Sequence, residues 1–155
     1  MPTTLVLGYD GSDCAKKALE KTTALAARID DAVVVVVYAF EFSVGYVPMG
    51  MTDSPLLMSA EFDQHIQLVR DFGDEQVAEA SKTLAAAGVA SETVVIEGSP
   101  VEALLETARD RNATLIVVGS HGEGAVSAAF LGSTALKLLH HTDIPVLVIP
   151  RHEKK

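Results

Sequence analysis

Five consecutive valines, Val33 to Val37, constrain the fold of this chain more than any other stretch. A strand with one wet face alternates apolar and polar residues. A strand without alternation is covered on both faces, as in the middle of a parallel sheet. The remaining apolar runs fit that sheet. Leu5-Val6-Leu7-Gly8-Tyr9-Asp10 reads as strand one, the valines as strand two and Thr93 to Glu97 as strand three. Leu115 to Val118 reads as strand four and Ile144 to Pro150 as strand five, where Pro145 and Pro150 point to an edge.

Helical patterns separate these strands. Ala15, Ala18, Leu19, Thr22, Leu25, Ala26 and Ile29 form an apolar stripe after strand one, capped by Ser12 or Asp13 and ended by Asp30-Asp31. A second helix is predicted over Ala60 to Ala87, with Phe62, Ile66, Val69, Phe72, Val77, Ala80 and Leu84 facing inward. Gly73 predicts a kink in it, and Gly88 stops it. Ser99, Pro100 and Glu102 have the spacing of a capping box at the start of a third helix. Gly132-Ser133 opens a fourth, which closes at His140-His141, where positive charge suits the helix dipole. Residues 41–59 carry Gly45, Pro48, Gly50 and Pro55 without periodicity and read as a long irregular connection. The tail from Arg151 to Lys155 is charged and is expected to fray.

Alternating strands and helices require right-handed crossovers, giving an α/β fold: a five-stranded parallel sheet with helices on both faces. Strand orders 3-2-1-4-5 and 2-1-3-4-5 both satisfy the pattern. In the first, the winding direction reverses between strands one and four, and ligands bind there, beyond the strands' carboxyl ends. The residues at that point are Asp10 and Gly119, and a glycine loop facing a carboxylate favours the order 3-2-1-4-5.

At 155 residues the chain is expected to form a single domain over 1–155. Its longest apolar run, Ala32 to Phe40, has nine residues, well short of the roughly 20 that a membrane helix needs. No cationic stretch precedes a hydrophobic one in Met1 to Ser12, so no secretory signal is expected. Cys14 stands alone, which fits a reducing cytoplasm, and it reads as a small core residue. The net charge of −9 argues against nucleic acid and anionic membranes as partners. It also means that an anionic ligand must be held by local donors. His65, His140, His141 and His152 do not cluster with cysteine or carboxylates, so no metal site is expected.

Gly119-Ser120-His121-Gly122, nine residues, then Gly132-Ser133, follow strand four. Glycines there let backbone approach a ligand and supply positive φ, and Ser133 stands where a helix start offers free N–H donors to an anion. No stretch matches G-x-x-x-x-G-K-[ST] or G-x-G-x-x-G. A receiver domain would need an acidic phosphoacceptor at the end of strand three and a lysine after strand five, where Glu97 and Pro150 stand.

The spacing Gly119-x2-Gly122-x9-Gly132-Ser133 resembles the nucleotide-binding signature of the universal stress protein family. Leu5 to Ser12 resembles that family's opening strand with its terminal aspartate, Gly98-Ser99-Pro100 its turn into the third helix, Ile116 to Gly122 its fourth strand and loop, and Pro145 to Val148 its closing strand. The resemblance implies a three-layer Rossmann-like (adenine nucleotide alpha-hydrolase-like) module of the ATP-binding branch. It implies that Gly8, Tyr9 and Asp10 lie along the adenosine, that Ala39 offers backbone groups to the adenine, and that Val118 and Gly119 floor the pocket. His121, Gly122, Gly132, Ser133 and Thr134 would surround the phosphates. Between Gly122 and Gly132 stands Glu123 and no lysine or arginine, so Lys137 is the nearest cation in sequence. Mg²⁺ bridging the phosphates would offset that deficit.

By that resemblance the chain is a cytoplasmic ATP-binding regulator of stress adaptation, and a homodimer through strand five (residues 144–150). No catalytic residue is assigned, and the cation-poor loop favours binding over turnover. The alternatives are slow ATP hydrolysis or phosphoryl transfer involving Asp10 or His121, and a nucleotide-independent dimer acting as a protein-interaction platform.

Overall fold

The structure, a computed structural model, describes residues 1–42, 55–122 and 131–151, with side chains from residue 60 onward in the second segment. The elements are β1 (Thr3–Gly8), α1 (Asp13–Ala26), β2 (Ala32–Phe40), α2 (Pro55–Ala86), β3 (Ala90–Glu97), α3 (Pro100–Asp110), β4 (Leu115–Gly119), α4 (Ser133–His141) and β5 (Val146–Ile149). The strands form one parallel sheet in the order β3-β2-β1-β4-β5. Of the two orders the pattern allowed, this is the one the glycine loop favoured.

The valine run explains the layers. Within β2, Val34 to Val37 are buried, and successive side chains point to opposite faces. Val34 and Val36 pack in a core with Ala18 and Leu19 of α1 and Val77, Ala80 and Leu84 of α2. Val35 and Val37 pack in a second core with Leu104 and Ala108 of α3 and Ala135 and Leu138 of α4. Full burial of each valine contributes up to about 1.5–3 kcal/mol, so both helical layers are held by the same short strand.

Three local expectations need correction. The irregular connection does not extend to residue 59, because α2 begins at Pro55, a residue suited to a first helical turn; positions 43–54 lie outside the described residues. Gly73 does not interrupt α2. A Cβ there would lie 2.5 Å from Cδ1 of Tyr38, so the glycine lets the helix settle onto the sheet. Phe72, expected inside, is 49% exposed and touches the Tyr38 ring edge-on at 6.1 Å between centroids. The reason is register: Gly73, buried against Tyr38 and Val95, takes the inward position in line with Val77, Ala80 and Leu84, which leaves Phe72 on the flank. The 32 residues of α2 also reach about 48 Å, whereas the eight of β3 reach about 26 Å, so only the half carrying Gly73, Val77, Ala80 and Leu84 is fully seated.

The helix caps divide in the same way. Ser12 caps α1 by accepting from the Ala15 N–H at 3.2 Å, which decides between Ser12 and Asp13. Ser99 makes no side-chain cap bond, so the serine half of the capping box read at α3 is not formed; Pro100 follows in the first turn, where a missing N–H breaks no helical bond.

Candidate functional site

A cleft opens where β1 and β4 diverge, at the carboxyl end of the sheet. Its walls come from strand ends and helix starts. Tyr9 continues the β1 ladder for one residue, donating its N–H to the Val37 carbonyl at 2.9 Å. Gly11 then turns the chain with φ +80°, a conformation that disfavours a side chain. Between them Asp10 accepts the Ser12 N–H on Oδ1 at 2.9 Å, which holds its carboxylate at the mouth of the cleft. Burial pushes the Tyr9 hydroxyl above its ordinary pKa of 10.0, and the negative charges of Asp10 and Glu79 push it the same way.

Nine of the residues read from sequence line this one cleft: Gly8, Tyr9, Asp10, Ala39, Val118, Gly119, His121, Gly122 and Thr134. Gly132 and Ser133 do not. Gly132 is the N-cap of α4, and Ser133 is an exposed residue in that helix's first turn. The sequence reading missed Ala15, Val37, Pro100 and Leu104, which complete the lining. Ala15 and Pro100 sit in the first turns of α1 and α3, whereas Val37 and Leu104 lie within β2 and α3. Their signal was hidden because apolar residues at such positions read as core, and Leu104 and Val37 are core as well. The result is an apolar wall of Val37, Ala39, Pro100, Leu104 and Val118, facing a polar end made by Asp10, His121 and Thr134.

The glycines of the signature do not supply the positive φ expected of them, and they make close approaches within the protein. None of Gly119, Gly122 and Gly132 adopts a positive φ. A Cβ on Gly119 would lie 2.8 Å from Sγ of Cys14, and one on Gly132 would lie 2.8 Å from the Ser120 carbonyl oxygen. On Gly122 it would lie 2.9 Å from Oδ2 of Asp10. The glycines therefore permit protein-to-protein approach. They bring β4 against the start of α1, the β4 loop against Asp10, and the start of α4 against Ser120. The Gly132 N–H donates to the Ser120 carbonyl at 2.6 Å, fixing the amino end of α4 beside the loop. Gly132 supplies no capping side chain, so the first-turn amides of α4 lack the acceptor that a serine cap would give.

His121 is the most informative side chain. It is 7% exposed, lines the cleft, and its Nδ1 lies 2.8 Å from Oγ of Ser120. Its Nε2 is buried with no hydrogen-bond partner among the described residues. A buried imidazole nitrogen left in that state costs on the order of 1–3 kcal/mol, which a ligand atom in the cleft would recover. The apolar wall suits an aromatic base. The orphan nitrogen and the α4 amides suit a polar or anionic group beyond it, so the residues fit a nucleotide. Among the described residues no group of three or more His, Cys, Asp and Glu could hold a metal ion, and no helix is long and apolar enough to cross a membrane.

Known proteins share the sequence pattern and the fold. The universal stress protein family model matches residues 1–150. A universal stress protein of Thermus aquaticus is 34% identical over 147 residues, covering 94% of this chain and 97% of the relative. Two solved structures share the fold. One, a universal stress protein family member of Arabidopsis thaliana with AMP bound, is 21% identical, covers 97% of this chain and 93% of its own, and has a TM-score of 0.66. The other, a universal stress protein in complex with cAMP, is 24% identical, covers 97% and 98%, and has a TM-score of 0.65. With its sheet order, its cleft at the winding reversal and a match along nearly its whole length, this chain belongs to the universal stress protein family.

Proposed function

We propose that the protein binds an adenine nucleotide in the β1–β4 cleft, ATP foremost, and acts as a cytoplasmic regulator of stress adaptation. The observation that carries this reading is the buried Nε2 of His121, without a partner among the described residues, at the polar end of an apolar-walled cleft. The adenine stacks against Val37, Ala39, Leu104 and Val118, and Asp10 accepts from the ribose or the base. The phosphates lie toward His121, Thr134 and the amides of α4, where backbone dipoles hold an anion despite the net charge of −9. Gly132 and Ser133 take part through the backbone of the α4 start. Mg²⁺ on the phosphates supplies the cation that the residues after Gly122 lack. The AMP and cAMP complexes of the two structural relatives support an adenine nucleotide as ligand class.

Binding is favoured over turnover. The Ser120 hydroxyl is within reach of His121, but Ser120 does not line the cleft, so this pair presents no nucleophile to a ligand. ATP with Mg²⁺ at a hundred times its dissociation constant is expected to stabilise the fold by about 2.7 kcal/mol, read as a rise in Tm. No rise at millimolar ATP refutes the reading.

We also propose a homodimer through residues 144–150. β5 is a sheet edge of four residues, and Leu147 on it, with Leu136 and Leu139 on α4, is exposed. Sedimentation at micromolar concentration is expected to give twice the chain mass. A monomer there excludes the dimer.

A further inference from the structure

We infer that Ser120 is a positioning residue: its hydroxyl donates to Nδ1 of His121 and so holds the ring with Nε2–H as a donor facing the ligand. In a neutral imidazole one nitrogen carries the proton and the other accepts, and the partner of one decides the role of the other. Among the described residues two polar groups lie near Oγ of Ser120: Nδ1 of His121 at 2.8 Å and Sγ of Cys14 at 3.7 Å. Thiol sulfur is a weak acceptor, whereas an imidazole lone pair is a strong one, so the hydroxyl hydrogen goes to Nδ1. The thiol has its own acceptor in the Ile149 carbonyl, 3.5 Å away, and does not need the serine oxygen.

Ser120 itself cannot easily turn away. Its N–H donates to the Ile149 carbonyl at 2.8 Å and its carbonyl accepts from Gly132 at 2.6 Å, so its backbone is pinned to β5 and to α4 at once. Ser120, Cys14 and His121 are all buried, which keeps water from replacing the serine hydroxyl as the partner of Nδ1. In the neutral form of the ring the outcome is an N–H donor of fixed direction at the polar end of the cleft, matched to a phosphate oxygen.

For its ligand this inference rests on the nucleotide reading; the hydrogen-bond relay does not depend on it. The test is therefore made in two parts. Long-range ¹⁵N correlation spectra of the histidine-labelled, ligand-free protein, at mildly alkaline pH where free imidazole is neutral, report which ring nitrogen of His121 is protonated. A proton on Nε2 is expected, and a proton on Nδ1 overturns the inference. In Ser120→Ala the single-tautomer pattern is expected to be lost and ATP affinity, by calorimetry, to fall about fivefold. Ser120→Thr, which keeps the hydroxyl, is expected to hold the pattern and to bind within about twofold of the parent. A Ser120→Ala protein that keeps both the pattern and the affinity also overturns it. If Ser120→Ala does not fold, the parent spectrum alone decides the relay. A parent that binds no ATP yet shows Nε2–H refutes the nucleotide reading and leaves the positioning of His121 standing.

Discussion

The two ends of the cleft are built on opposite principles. The apolar end is made of side chains: Val37, Ala39, Leu104 and Val118 reach into it from strand ends and from α3, and several of them are core residues too. The polar end carries Asp10, His121 and Thr134 on backbone brought close by missing side chains. Gly119 lets Cys14 close in, and Gly132 lets the α4 start sit on Ser120. At one end the ligand surface can be altered without moving the chain. At the other, any added atom meets protein before it meets ligand.

Gly132→Val is the harshest test of that difference. Its Cβ would sit 2.8 Å from the Ser120 carbonyl oxygen and 3.3 Å from Cα of His121, both backbone atoms that cannot step aside. Loss of nucleotide binding is expected together with about 1–3 kcal/mol of stability in the ligand-free protein, measured by urea unfolding. Loss of binding at unchanged stability would mean that this glycine makes room for phosphate instead. Ala39→Leu probes the opposite end. It fills the cleft from a half-buried strand position and is expected to weaken ATP binding at least about tenfold while stability stays within about 0.5 kcal/mol. Equal losses of stability in the two variants would erase the distinction.

The smallest effect concerns Tyr9, which touches both the cleft and the groove between α1 and α2. Burial first, then Asp10 and Glu79, raises the pKa of its hydroxyl above 10.0. Above pH 10 the unfolded chain therefore loses this proton while the folded one keeps it, and stability falls as pH rises until the folded group ionises too. That contribution is fully present below pH 10. Tyr9→Phe is expected to flatten the alkaline limb of the stability curve, and an identical slope in both proteins would reject the assignment.

Much of this architecture was legible in the chain. The unbroken valines demanded cover on both faces, and the glycine loop opposite Asp10 chose between two strand orders that the hydrophobic pattern left open. What stayed hidden was tertiary. A sequence displays a glycine but not the atom its absent Cβ admits, so neither the approach of Gly132 to Ser120 nor that of Gly73 to Tyr38 was visible in the chain. Phe72 fitted the helical stripe, yet Gly73 beside it is the residue that meets the sheet. Leu104 and Val37 looked like core and are core. Only the geometry reveals that they also form a wall.

The unequal lengths of α2 and its sheet carry a further consequence, one that concerns time. Backbone amides in the turns around Val77, Ala80 and Leu84 can exchange with solvent deuterium only when the core opens. Those between residues 60 and 70 lie under half-buried or exposed side chains and need only a local opening. A single continuous helix thus contains two clocks, a fast one beyond the sheet and a slow one upon it, and Gly73 lies close to the boundary between them.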